Sequence, residues 1–276
     1  MGLIATTIFR SFPMIAIVAC VAFPGRAASA DDLMFGHIKA DKILFLGNSI
    51  TLCGPYNDWI AYWGMAASAQ SKDYVHLLTD RIRTTAGGAL GDLPIAPPDS
   101  MPGRWYDGDP LPNYGGNIIN IADIFERNYD TWDNARIQNQ LDALPDLVIL
   151  QFGENMEGGT MEQFSTALNT LLDGLKAESN PHIFVTSHII GSNPVVDQIK
   201  RDACAADPEY RVFVPMTGID LSGVAGHPND AGMQTIADTL YGAMEAHATP
   251  EPGSLVLLTM AGVFCGACAW RRCRGG

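Results

Sequence analysis

Lys42-Ile43-Leu44-Phe45-Leu46-Gly47-Asn48-Ser49 is the stretch on which the fold turns. An unbroken apolar run that stops at a Gly-Asn-Ser turn predicts a strand buried on both faces, as the strands of a parallel sheet are. Working outward, residues 117–121, 147–152, 182–186 and 210–214 repeat the pattern. Between and around them, residues 72–85, 135–144, 161–177, 195–205 and 231–247 carry apolar side chains at helical spacing, with Phe164, Leu168, Leu171, Leu172 and Leu175 on one face. Strands alternating with helices predict a three-layer α/β/α sandwich around a parallel sheet of about five strands. Residues 86–116 are rich in Gly, Pro and Asp and follow no period, which predicts a variable insertion or lid.

Composition narrows the function. The chain has 276 residues, 47% of them hydrophobic, enough for one sizeable catalytic domain. Its formal charge of −13 disfavours nucleic acid and anionic lipid as partners, because both recruit Lys and Arg. No close cluster of His, Asp and Glu marks a metal centre in the sequence, so no metal or cofactor is expected. Cys53 and Cys204 are the two cysteines within the domain and could pair only if the fold brings them within bridging distance.

Both ends read as addresses. Arg10, an apolar run over residues 14–23 and Ala28-Ser29-Ala30 predict a signal peptide over residues 1–30, cut by signal peptidase. The catalytic domain is expected over 31–247, and a sorting or anchoring segment over 248–276. An uncharged apolar run from Gly253 to Trp270, closed by Arg271-Arg272-Cys273-Arg274, is just long enough for a membrane span. With Thr249-Pro250-Glu251-Pro252 in front of it, this end resembles the PEP-CTERM sorting signal of certain bacteria, which implies processing by an exosortase-type enzyme. A plain C-terminal membrane anchor is the other reading. Either way the domain is expected outside the cytoplasm, in the cell envelope or extracellular matrix.

Ligands of open parallel sheets bind at the carboxyl ends of the strands. Three residues suited to acyl chemistry fall there: Ser49 after the first strand, Asn155 after the third, and His227 before the last helix. The blocks Gly47-Asn48-Ser49-Ile50-Thr51, Gly153-Glu154-Asn155-Met156 and His227-Pro228-Asn229-Asp230-Ala231-Gly232-Met233 resemble, in order and spacing, those of the SGNH/GDSL hydrolases, a superfamily of esterases and lipases with a flavodoxin-like sheet. The resemblance spans roughly residues 41–247. It implies Ser49 as nucleophile, His227 as its base, Asn155 as an oxyanion donor, and a small acyl ester or acylated carbohydrate as substrate. Asp230 is expected to cap the last helix and so aim His227.

Two features depart from the superfamily pattern. The acid usual three residues before the His is replaced by Val224, which leaves a Ser-His dyad with Nδ1–H held by a backbone carbonyl, or Asp220 as a distant orienting acid. The glycine usual after the second strand is missing, and Gly64 is the candidate for its N–H, with close packing as the alternative role. Tyr56, Trp59, Tyr62, Trp63, Trp105 and Tyr106 could stack on sugar rings or pack in the core. An acyltransferase using the same residues and a binding protein that keeps the fold without the reaction are the competing functions.

Overall fold

Alternate residues of one strand build two separate cores. The computed structural model describes residues 33–54, 59–61, 63–86 and 118–249. In strand β3 (Ile43–Gly47), Ile43 and Phe45 join one apolar cluster while Leu44 and Leu46 join another. Strand β5 (Leu147–Gln151) divides in the same way, Leu147 and Ile149 against Val148 and Leu150. Period-two side chains that are apolar on both faces require helices over both faces. Helices α1 (Tyr74–Ala86) and α5 (Asp230–Ala248) supply Tyr74, Leu78, Ile82, Ile236 and Leu240 to the first cluster. Helices α2 (Gln138–Asp142), α3 (Met161–Glu178) and α4 (Pro194–Ala205) supply Leu141, Phe164, Leu168, Leu171 and Val196 to the second.

Among the described residues the sheet has five strands, all parallel, in the order β4 (Ile118–Asn120), β3, β5, β6 (His182–Thr186), β7 (Arg211–Val214). The three-layer α/β arrangement expected from the sequence is therefore present, with all five strand segments close to their anticipated bounds. Parallel pairing sends every strand's carboxyl end to the same edge, where the loops carrying Ser49, Asn155 and His227 begin.

Three details differ from expectation. A short hairpin, β1 (Met34–Phe35) with β2 (Ile38–Lys39), precedes the sheet. The helix anticipated over 135–144 is a 3-10 turn, Asn134–Ile137, capped by Asp133 through the Ala135 N–H and leading into the short α2. The cap of α5 is Asn229, whose side chain accepts from Gly232 N–H at 2.9 Å; Asp230 stands one place inside and instead accepts from Ser68 N–H and Oγ, both at 2.7 Å. Cys53 and Cys204 are separate buried thiols, and burial pushes each up to about 12.

Among the described residues, no helix is long and apolar enough to cross a membrane. The segments 1–30 and 250–276, nearly all of the loop at 86–116, and Tyr56, Tyr62, Trp105 and Tyr106 lie outside the described residues.

Leu168 is fully buried between α3 and the sheet. Leu168→Ala is expected to lower unfolding free energy by about 2–5 kcal/mol in urea titrations. Ile60, 84% exposed, should change it by less than about 0.5 kcal/mol when cut to Ala.

Candidate active site

The turn after β3 is shaped by what cannot fit there. A Cβ on Gly47 would lie 1.8 Å from Thr51 Oγ1 and 2.8 Å from the Gln151 carbonyl, so only glycine lets the chain leave the sheet at this point. Asn48 then fixes the turn: its Oδ1 accepts from Ile50 N–H at 3.0 Å, and its carbonyl accepts from Thr51 and Leu52 N–H, each at 3.0 Å. Ser49, half-buried, is left at the tip with its Oγ 2.7 Å from His227 Nε2.

His227 reaches Ser49 from the loop before α5. Its Nδ1 lies 3.3 Å from the Ala225 carbonyl. A carbonyl can only accept, so Nδ1 carries the hydrogen and Nε2 presents its lone pair to the Ser49 hydroxyl. Ala225 adopts a left-handed conformation (φ 52, ψ 30) that costs an L-residue about 1–2 kcal/mol. The loop around it is braced: Gly223 N–H donates to His227 O at 3.0 Å, and His227 N–H donates to Val224 O at 3.0 Å. Burial lowers the His227 pKa below the ordinary histidine value, opposed by the hydrogen bonds with the Ala225 and Val224 backbone.

Asp220 does not meet the imidazole as an orienting acid. Its Oδ1 accepts from Ser222 N–H at 3.0 Å and its Oδ2 from Asn229 Nδ2 at 2.8 Å. It ties the two ends of the His227 loop together, so it acts on the loop and leaves the ring to Ala225 O. Gly64 is likewise committed elsewhere. Its N–H donates to Asp73 Oδ2 at 3.3 Å, and a Cβ there would sit 2.5 Å from the Ile50 carbonyl, so close packing accounts for this glycine. Trp59 is buried with Cys53, Ala61 and Met65, and Trp63 packs edge-on against it at 5.7 Å, which makes both part of a small core.

Glu126 is the residue that sequence reasoning missed. After β4 the chain makes one turn of π-helix, Ala122–Glu126, in which Arg127 N–H reaches Ala122 O at 3.0 Å. That wide turn buries the Glu126 carboxylate completely. Its Oε1 accepts from the N–H groups of Gly153 and of Glu154 (3.0 Å) and from Asn48 Nδ2 (3.2 Å); its Oε2 accepts from Asn155 Nδ2 (2.8 Å). Four donors on two oxygens suit the ionised form, which is acceptor-only. Burial and the neighbouring Glu154 charge push the Glu126 carboxyl up, and the bonds from Asn155, Gly153 and Asn48 oppose that shift.

Asn48 spans both acids, donating also to Glu154 Oε2, so an Asp at 48 would set three carboxylates against one another where the amide now bridges two. Beneath them lies Lys200, fully buried, donating to the carbonyls of Phe152 and of Thr186 (3.1 Å). Burial lowers the Lys200 pKa, while Glu154, Asp197 and Glu126 hold it up. Gly153, at φ +126, makes the turn over this ammonium, and a Cβ there would come within 2.9 Å of Nζ.

No protein-family model matches the chain, and no curated protein sequence matches it. Solved structures similar to it include a family two carbohydrate esterase from Clostridium thermocellum, 17% identical with a TM-score of 0.45 over 74% of this chain and 63% of that one. An acetyl xylan esterase from Butyrivibrio proteoclasticus is 16% identical, with a TM-score of 0.43 over 74% of this chain and 63% of that one. A GDSL-like lipase from Bacteroides uniformis is 21% identical, with a TM-score of 0.31 over 39% of this chain and 56% of that one. This chain thus spans less than two thirds of the length of each.

The imidazole of His227 is expected to titrate below free histidine in an NMR pH series. Asp220→Asn should leave that midpoint nearly in place, since Ala225 O is the ring's partner; a clear fall would make Asp220 the orienting acid after all.

Proposed function

We propose that this protein is an exported serine esterase, with Ser49 as nucleophile and His227 as base in a dyad. The observation that carries the reading is the 2.7 Å hydrogen bond between Ser49 Oγ and the lone-pair nitrogen of His227, on the sheet edge where all strand ends converge. Serine is a weak nucleophile without a base to take its proton. As Oγ attacks the ester carbonyl, Nε2 takes that proton, and the imidazolium returns it to the departing alkoxide. Water then attacks the acyl-serine, giving a proton to Nε2, and the imidazolium passes it to Ser49 Oγ as the acyl–oxygen bond breaks and the acid leaves. The lowered pKa of His227 keeps the base in its neutral form as the medium is acidified.

The charge that develops on the carbonyl oxygen needs donors already aimed at it. Asn155 Nδ2 carries two hydrogens, and Glu126 Oε2 engages one, fixing the amide plane so that the second can serve the oxyanion. The Ser49 backbone N–H is the companion donor, and Gly64 is left out of the machinery. Glu126 is thus a positioning residue. Small acyl esters, including acyl groups on carbohydrates, are the proposed substrates. The address read at residues 1–30 supports export, and the segment 248–276 supports sorting to the envelope or matrix.

Hydrolysis of p-nitrophenyl acetate tests the assignment. Ser49→Ala should remove turnover, and His227→Ala should lower kcat by about 10²–10⁴-fold. Asn155→Ala should lower it by about 10²–10³-fold. Glu126→Gln, which turns a donor toward donors, should lower kcat by up to about 10²-fold with little change in KM. Turnover that survives Ser49→Ala would sink the nucleophile assignment. The acid limb of the wild-type profile should lie below the ordinary histidine pKa.

A further inference from the structure

Three of the chain's six histidines meet at the edge of the sheet opposite Ser49. His182 begins β6, His37 stands in the turn between β1 and β2, and His247 lies in the last turn of α5. One ring nitrogen from each lies within 4.8 Å of the other two, and the ring centroids are 5.3, 5.6 and 5.5 Å apart. Two of the rings are held by carbonyls. His37 Nδ1 is 3.0 Å from Ala248 O, and His247 Nε2 is 3.1 Å from Glu209 O. Each carbonyl demands the hydrogen on the nitrogen it faces, which leaves the lone pair on His37 Nε2 and His247 Nδ1. A histidine whose second nitrogen is anchored by a carbonyl has the arrangement of a metal ligand with its outer-shell support in place.

We propose that His37, His182 and His247 bind one divalent transition-metal ion of the zinc class, with water completing the coordination. An all-imidazole set favours zinc, copper or nickel over calcium and magnesium, which take oxygen ligands. Tetrahedral ligands at 2.0–2.1 Å stand about 3.3 Å apart, so the rings must close by roughly 1–1.5 Å from their widest separation. His37, exposed on a short hairpin, can make that movement. The ion would join the hairpin, the start of β6 and the end of α5, far along the sheet from the serine, so it acts as a staple and takes no part in ester chemistry.

The full chain, stripped with EDTA and dialysed, should take up one zinc ion in calorimetric titration. Zinc a hundredfold above Kd should raise Tm by about 5 °C or more. Cobalt should give visible d–d bands without the near-ultraviolet thiolate charge-transfer band that Cys265, Cys268 or Cys273 would produce. His37→Gln, at an exposed site, and His182→Ala should each abolish uptake and the Tm rise while far-ultraviolet circular dichroism is kept. No uptake by the folded wild-type chain would overturn the proposal. So would uptake unchanged in the folded His37→Gln variant, or a cobalt spectrum dominated by thiolate.

Discussion

One buried carboxylate gathers three loops that the sheet alone would leave independent. Glu126 comes from the turn after β4, Asn48 from the turn after β3, and Gly153, Glu154 and Asn155 from the turn after β5; all four hydrogen bonds end on the Glu126 oxygens. A parallel sheet brings strand ends to a common edge, but to no better than the slack of the loops that follow. Tying the loops to a single rigid acceptor removes that slack at Ser49's neighbour and at Asn155 together. Catalytic geometry needs such support from groups that never touch the substrate.

That arrangement carries an electrostatic cost which the surroundings offset. Burial first and then the neighbouring Glu154 charge raise the cost of ionising Glu126, and Asn48 places an amide between the two acids. Lys200 is buried under Gly153, where burial lowers its pKa and the charges of Glu154, Asp197 and Glu126 oppose that shift, and its Nζ donates to the carbonyls of Phe152 and Thr186. Removing one member of such a network leaves the rest buried without partners, which costs more than the mean value of a hydrogen bond. His227 is treated differently. Among the described residues it meets no carboxylate at Nδ1, only a backbone carbonyl, and the backbone contacts with Ala225 and Val224 are what favour its charged form. The loop that carries it is stiffened through Asp220 and Asn229 instead.

Much of the fold was legible because strands buried on both faces leave unbroken apolar runs, as Ile43–Gly47 and Leu147–Gln151 do. The hairpin of two-residue strands left no such trace, since two residues carry no period. Ser49 and His227 were readable from their blocks, and the structure brings the two side chains into contact. Glu126 was not, because a π-helical turn, which no periodic pattern announces, delivers it to the site. The cap of α5 was misplaced by one position because Asn229 and Asp230 are equally good capping types, and only the Gly232 N–H decides between them. His37, His182 and His247 are invisible as a group in sequence, for no local spacing joins a hairpin, a strand start and a helix end.

The central claim is that Ser49 is activated by His227. It is tested most directly by incubating the protein with a serine-directed organophosphonate and reading the intact mass and the modified peptide. The account predicts one adduct, on Ser49, formed much more slowly in His227→Ala. An unmodified Ser49 in folded protein, or labelling that His227→Ala leaves at the wild-type rate, would contradict it.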